Sequence, residues 1–173
     1  MFHIKKISRQ SKISSAPIET NPQALFLSVV GVGFSPVAPG TFGTIAALPF
    51  LYLLGYAHVS NWLIFAFLLP LAFFASLEAD KAQIKYKIHD PSWIVVDEVI
   101  GMSVAWLFRS SDDLWNLMVL AVLFRFFDII KIWPATYFDQ KMQHGAGVIL
   151  DDVVSGIYAG VLCLVLAQAS RFF

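Results

Sequence analysis

The stretch NWLIFAFLLPLAFFASLEADKAQIKYK, Asn61 to Lys87, decides the fold class of this chain. From Trp62 to Leu77 it is apolar apart from Pro70 and Ser76, and beyond Leu77 charged residues alternate with apolar ones. A helix needs about 20 apolar residues to cross the hydrocarbon core, so the run is marginally long enough. Its cationic end suits the membrane–water interface. The stretch therefore predicts a helix in or on a membrane.

The composition supports the same class. The 173 residues are 58% hydrophobic and 14% charged, against typical values of roughly 45–50% and about 25% for soluble domains. The length suits one domain, which we place at residues 21–170. A formal net charge of zero gives no reason to expect a nucleic-acid partner.

The first twenty residues are basic and polar, and they read as a flexible tail rather than a signal peptide. Lys5, Lys6, Arg9 and Lys12 lie there, and no apolar core of suitable length follows them. Positive charge next to a membrane segment favours the cytoplasmic side and anionic headgroups. We therefore expect the N-terminus to be cytoplasmic.

The rest of the chain reads as short or broken apolar helices, with no run of alternating strands. Asn21 and Pro22 are typical of a helix start, and that helix should break at the glycines after Val30. Ser110 or Ser111 is expected to cap a later helix that Pro134 ends, and the last helix should span about 148–168. The fold class is thus all-α: a compact helical bundle, membrane-embedded or membrane-associated.

Carboxylates inside apolar helices are the most informative feature of the sequence. A carboxylate at the centre of a membrane helix costs about 2.5–3.5 kcal/mol on insertion scales, so such residues are functional candidates. The alternative is that they lie at the interface, where they cap helices or pair with lysines. The candidates are Asp97, Glu98, Asp128, Asp151 and Asp152.

If these carboxylates converge, their mutual repulsion calls for protons or a divalent cation. All-oxygen ligands favour magnesium, manganese or calcium, and magnesium is the usual choice where phosphate is also bound. Arg125, Asp128 and Lys131 are three residues apart and share one helix face, where the cations could receive an anionic group. A simple ion-pair ladder is the alternative. The G-x-x-x-G pattern of Gly156 and Gly160 indicates close helix packing.

Glycines and prolines also interrupt the stretch from Val30 to Phe50. It lacks the third glycine of a dinucleotide-binding loop and the lysine of a P-loop, so it matches neither template. We interpret it as a tight loop that presents Gly40, Thr41 and free backbone N–H groups to a phosphate at the start of the next helix. A plain connector between helices is the alternative.

Five blocks in order resemble the phosphatidylglycerophosphatase A family. They are GFSPVAPGTFGT from Gly33, HDPSWIVVDEVIGM from His89, FRFFDIIKIWP from Phe124, YFDQ around Asp139, and HGAGVILDDVVSG from His144. Each block alone is weak, whereas the ordered set is specific and covers nearly all of the chain from Asn21 to Gln168.

The resemblance implies a magnesium-dependent lipid phosphatase of the bacterial inner membrane, converting phosphatidylglycerophosphate to phosphatidylglycerol and inorganic phosphate. The family's polar positions fall on Thr41, Asp97, Glu98, Arg125, Asp128, Lys131, Asp139, His144, Asp151 and Asp152. We expect the paired acids to hold one or two Mg²⁺ ions, with Asp128 joining them. Arg125, Lys131, Thr41, Gly40 and His144 are expected to bind the phosphate, on the cytoplasmic side.

Two other functions fit intramembrane acids beside an arginine. A small proton- or ion-coupled transporter would use the carboxylates as an ion pathway, although transporters often show paired halves and no internal repeat is visible. A membrane scaffold would pair them with a partner's cations. Phosphate release in detergent micelles separates the phosphatase from both, and the sequence leaves the oligomeric state open.

Overall fold

The computed structural model describes residues 21–169, which form seven α-helices and no strand, so the all-α prediction is confirmed. The basic tail, residues 1–20, lies outside the described residues. The helices are α1 (Pro22–Leu27), α2 (Pro39–Tyr56), α3 (Asn61–Tyr86), α4 (Val96–Trp106), α5 (Leu114–Ile130), α6 (Ala135–Lys141) and α7 (Gly145–Ala169).

The first helix starts as predicted and ends early. The Asn21 side chain accepts a hydrogen bond from the Ala24 N–H at 2.8 Å, and Pro22 occupies the first turn. The helix stops at Leu27 rather than near Val30, because the Ser28 hydroxyl oxygen accepts the Gly31 N–H at 3.0 Å. Such local side-chain bonds compete with helix continuation.

Helix α2 begins earlier than the sequence suggests, and this reduces the number of N–H groups that the predicted phosphate loop can offer. The loop ends at Ala38, which has a left-handed φ of 46°, and Pro39 starts the helix with its preset φ. Gly40 and Thr41 therefore lie in the first helical turn. The Thr41 and Phe42 N–H groups both donate to the Ala38 carbonyl, so neither is free for a phosphate.

Both ends of α5 differ from expectation. The N-cap is Asp113, not Ser110 or Ser111, because its carboxylate accepts the Asn116 N–H at 2.7 Å. The helix ends at Ile130, and Lys131 follows in a left-handed conformation with its N–H donating to the Phe127 carbonyl. Lys131 consequently does not share a helix face with Arg125 and Asp128.

Helix α7 begins at Gly145 rather than near Val148. The Gly145 N–H donates to Asp80 Oδ1 of α3 at 3.1 Å, which gives the first turn a partner from another helix. Further along, a Cβ added at Gly156 would lie 2.2 Å from the Gly101 carbonyl oxygen of α4. The G-x-x-x-G pattern thus marks a close helix crossing, as predicted.

The two ends of the bundle differ in chemistry. At one end, called the far end, the Asn61 amide donates to the Leu107 carbonyl at 2.9 Å, and Gly55 packs beside Asp112. The opposite end, called the site end, gathers the first turns of α2, α4 and α7 and the last turn of α5. Between them the core is apolar and includes Leu51, Met102, Trp106, Leu120 and Phe124.

Two of the described helices, α3 and α7, are long and apolar enough to cross a membrane. Helix α3 exposes large apolar side chains along its length, among them Trp62, Phe67 and Phe73. Exposed apolar area of this extent is typical of a surface that contacts lipid or another protein. The fold is consistent with a membrane protein.

Candidate active site

The crossing of α4 and α7 brings together acids that lie more than fifty positions apart in the chain. Asp97 and Glu98 occupy the first turn of α4, and Asp152 lies near the start of α7. The crossing is close because a Cβ at Gly101 would be 2.7 Å from the Asp152 carbonyl oxygen. Small residues at such crossings let helix backbones approach each other.

Asp97, Glu98 and Asp152 form a compact group, called the acid trio. Each contributes one carboxylate oxygen, and these oxygens all lie within 4.8 Å of one another. Asp97 and Asp152 are buried and Glu98 is half-buried. The Glu98 N–H donates to Asp97 Oδ1 at 3.1 Å, so part of the Asp97 charge is stabilised by the helix start.

The acid trio suits a divalent cation. Glu98 Oε2 is buried and has no hydrogen-bond partner among the described residues. A buried carboxylate oxygen without a partner is costly, and three carboxylates at this spacing repel one another. Hard cations such as Mg²⁺ bind oxygen donors of this kind. The acid trio could therefore hold a metal ion.

Arg125 connects the acid trio to Asp128. Its Nη1 atom lies 2.6 Å from Asp128 Oδ2 and 3.8 Å from Glu98 Oε1. Its Nε atom is buried without a hydrogen-bond partner in the described part of the chain. The guanidinium thus retains donor capacity at the edge of the trio, where an anion could accept it.

Lys131 contacts a different pair of acids. Its Nζ atom lies 2.8 Å from Asp139 Oδ1 and also contacts Asp151 Oδ2. Burial alone would lower the pKa of this ammonium, but the attraction of Asp151 and the hydrogen bonds to both carboxylates outweigh it. Its pKa consequently lies above the usual range, and Lys131 stays charged.

Asp151 lies outside the acid trio although it was expected among the metal ligands. Adjacent helical residues point about 100° apart, so Asp151 turns toward Lys131 while Asp152 turns toward α4. Asp128 borders the trio, because its carboxylate pairs with Arg125 and also lies within hydrogen-bonding reach of the Asp152 carboxyl group. Asp151 thus contacts Lys131 instead of the trio, whereas Asp128 lies beside both Arg125 and Asp152.

The first turn of α2 closes another side of the site. A Cβ added at Gly40 would lie 2.1 Å from Glu98 Oε1 and 3.1 Å from Arg125 Nη1. Only glycine leaves room for those side chains at this position. Thr41 follows in the same turn and is half-buried. The structure therefore places Gly40 against the acids and Thr41 beside it.

His144 is the predicted site residue with the weakest connection. It precedes α7, its carbonyl oxygen accepts the Gly147 N–H at 2.8 Å, and its side chain is exposed. No contact described for residues 21–169 joins its ring to the acid trio. Its position is that of a residue that closes the first turn of the helix.

Sequence reasoning missed three residues around the site. Asp80 fixes the start of α7, and no local pattern signals a bond between residues 65 positions apart. The His89 ring contacts Gln83 Oε1 at 2.8 Å and the Asp139 carbonyl at 3.4 Å. Asp90 adds negative charge near Asp97 and Asp151. His89 and Asp90 open the HDPSW block, which was the only available signal.

Comparisons with known proteins identify the family of this chain. The sequence model of the phosphatidylglycerophosphatase A family matches residues 25–167. Phosphatidylglycerophosphatase A of Escherichia coli K12 is 34% identical over 146 residues, 83% of each chain. The Haemophilus influenzae protein of the same name is 35% identical over 146 residues, 82% of this chain and 86% of its own.

A third relative carries a different name. A Bacteroides thetaiotaomicron protein, provisionally named phosphatidylinositol-3-phosphatase, is 35% identical over 144 residues, which are 78% of this chain and 87% of its own. No solved structure matches this chain. The family match covers every residue of the acid trio as well as Arg125 and Lys131. On this match and these identities, the chain belongs to the phosphatidylglycerophosphatase A family.

Proposed function

We propose that this chain hydrolyses the terminal phosphate monoester of phosphatidylglycerophosphate, releasing phosphatidylglycerol and inorganic phosphate in phospholipid synthesis. The family and the names of the two bacterial relatives support this activity. The observation that carries the proposal is the buried acid trio beside Arg125. Those relatives give no support to the transporter alternative.

Asp97, Glu98 and Asp152 would hold a Mg²⁺ ion. When bound, the ion supplies positive charge to the phosphate oxygens and lowers the pKa of a bound water. Asp128 and Asp151 act through the cations they contact, since Asp128 orients Arg125 and Asp151 orients Lys131. Asp139 holds Lys131 from the other side.

Arg125 and Lys131 bind the non-bridging phosphate oxygens. Phosphoryl transfer spreads negative charge over these oxygens, so fixed donors that face them lower the barrier. The free Nε of Arg125 is such a donor. Thr41 adds a hydroxyl donor from the first turn of α2. The leaving glycerol oxygen needs a proton, which a carboxyl group of the site or His144 supplies.

We place the protein in the bacterial inner membrane with its site end toward the cytoplasm. Lysines are more frequent on the cytoplasmic side of membrane proteins. The site end carries Lys81, Lys85 and Lys87 on and after α3 and Lys141 on α6, whereas Arg109 lies at the far end. This asymmetry supports the orientation.

The test is a substrate panel with the purified protein in detergent micelles. Phosphate release is measured from phosphatidylglycerophosphate, phosphatidic acid and phosphatidylinositol 3-phosphate at equal surface concentration. We expect the highest kcat/KM for phosphatidylglycerophosphate. Faster release from phosphatidylinositol 3-phosphate would indicate that this chain acts on that lipid, the activity for which the Bacteroides relative is named. No release from any lipid would contradict the phosphatase function.

A further inference from the structure

The turn from α5 into α6 exposes an unusual number of apolar side chains. Here "the corner" means residues 129–137, and Ile129 and Trp133 are 72% and 74% exposed. Further exposed members of the corner are Ile130, Ile132 and Tyr137. Water-exposed apolar clusters of this kind mark a contact surface rather than ordinary protein surface.

The corner lies directly beside the candidate site. Lys131 is part of it and reaches Asp139 and Asp151. The Tyr158 hydroxyl donates to the Trp133 carbonyl oxygen at 2.7 Å, which fixes the corner against α7, about two helical turns beyond Asp151. The exposed apolar residues thus lie on both sides, in the chain, of the lysine that contacts these acids.

The far end of the bundle has a matching set of exposed aromatic residues. Trp115 at the start of α5 is 78% exposed, and Trp62 and Tyr56 are exposed on the neighbouring helix ends. The 17 residues of α5 extend about 25 Å at 1.5 Å per residue, close to the roughly 30 Å of a hydrocarbon core. Tryptophan and tyrosine are enriched at both interfaces of a membrane.

The lysines near the corner indicate what kind of surface covers it. Lys141 follows it on α6, and Lys85 and Lys87 lie at the same end of the bundle. Lysines near a membrane surface are attracted to anionic headgroups. Apolar side chains among lysines thus fit an anionic phospholipid surface.

We propose that the corner is embedded in the interface of an anionic phospholipid bilayer and forms the edge over which the lipid phosphate reaches Lys131 and the acid trio. The proposal rests on the proposed function for its substrate, and it adds the route by which that substrate arrives. Trp133 and Ile129 position the lipid, and they do not touch the reacting phosphate.

The kinetic test compares hydrolysis of the same headgroup on a lipid within a bilayer and on a water-soluble analogue. The full-length protein is reconstituted in vesicles of phosphatidylethanolamine and phosphatidylglycerol, and its activity is measured on long-chain phosphatidylglycerophosphate in the vesicle and on a water-soluble short-chain analogue. For Trp133→Ala we expect kcat/KM to fall about fivefold on the vesicle substrate and to stay unchanged on the soluble one. Ile129→Ser should behave in the same way.

Trp115→Ala is the matched control, because it removes a similarly exposed tryptophan at the far end of the bundle, from the start of the helix that leads into the corner. It should change neither rate. An equal loss on both substrates in Trp133→Ala and Ile129→Ser, or no loss on either, would overturn the proposal. A wild-type protein inactive on both substrates would instead contradict the proposed function.

A second measurement does not depend on turnover. Tryptophan fluorescence of the reconstituted protein is quenched either with lipids brominated near the headgroup or with aqueous iodide. The fluorescence of Trp133 is obtained as the difference between the wild type and Trp133→Phe. We expect that fluorescence to be quenched by the brominated lipid. Quenching by iodide alone would place the corner in water and refute the proposal.

Discussion

Neighbouring residues in this site have different tasks because the helix turns between them. Asp151 and Asp152 are adjacent in sequence, yet one contacts Lys131 and the other lies in the acid trio. Residue types alone predicted both as metal ligands, because sequence spacing does not show which neighbour each carboxylate meets. The partner is decided by the crossing with α4 and by the left-handed turn at Lys131.

Arg125→Lys tests the guanidinium at the residue scale. Lysine keeps the charge and loses the planar fork that can contact Asp128 and a phosphate together. We expect kcat/KM to fall about a hundredfold while the thermal unfolding midpoint stays near that of wild type. Turnover unchanged from wild type would remove the phosphate-binding role of Arg125.

Thr41→Val tests the hydroxyl in the first turn of α2. Valine keeps the shape, so a clear loss of turnover would come from the missing hydroxyl. Thr44→Val is the matched control one turn further on, since the Thr44 hydroxyl donates to the Gly40 carbonyl within the helix at 3.0 Å. We expect near-normal kcat for Thr44→Val, and equal activity of the two variants would favour a plain connector.

At the scale of elements, helix identity was predictable and helix ends were less so. Caps with a strong local signature, such as Asn21 with Pro22, were found in the sequence. The starts of α2 and α7 were not, because they depend on the left-handed Ala38 and on a bond from Gly145 to Asp80 of another helix. Contacts between distant segments leave no local pattern to read.

The crossing of α4 and α7 yields a prediction about two glycines of one motif. A Cβ at Gly156 would lie 2.2 Å from the Gly101 carbonyl oxygen, whereas a Cβ at Gly160 would lie 2.6 Å from the ring and 2.7 Å from the Cβ of half-buried Phe108. Backbone cannot move aside as a ring can, so Gly156→Ala should destabilise the fold by about 1–3 kcal/mol, more than Gly160→Ala. Denaturant unfolding in micelles measures both, and the opposite order would refute this account of the crossing.

The far end supplies a prediction about pH. The hydrogen bond from Arg109 lowers the pKa of Asp112, and His58 contributes less. A carboxyl with a lowered pKa stabilises the fold above its unfolded pKa, and this stabilisation is lost as the pH falls through the folded pKa. Asp112→Asn should therefore lower the unfolding midpoint at pH 7, and its effect should shrink as the pH falls below the ordinary aspartate pKa of 3.8. An equal effect at pH 7 and at the lower pH would show that the charge of Asp112 does not matter.

At the scale of the whole molecule, composition and the ordered blocks were sufficient to predict an all-α, membrane-type chain of this family. They were not sufficient to predict which acids meet. That depends on seven helices packing so that Gly40, Gly101 and Gly156 leave space for close approach. The same packing places the exposed apolar corner beside Lys131, which no single segment of sequence shows.

We propose above that the acid trio holds the metal ion with which this protein hydrolyses a lipid phosphate. The most direct measurement is phosphate release from phosphatidylglycerophosphate in mixed micelles, with Mg²⁺ and after chelation, for wild type, Asp152→Asn and the far-end control Asp112→Asn. We expect wild type and Asp112→Asn to be active with Mg²⁺, to lose activity on chelation and to regain it when Mg²⁺ returns. Asp152→Asn should be at least about a hundredfold slower. Full activity of chelated wild type, or of Asp152→Asn, would contradict the claim.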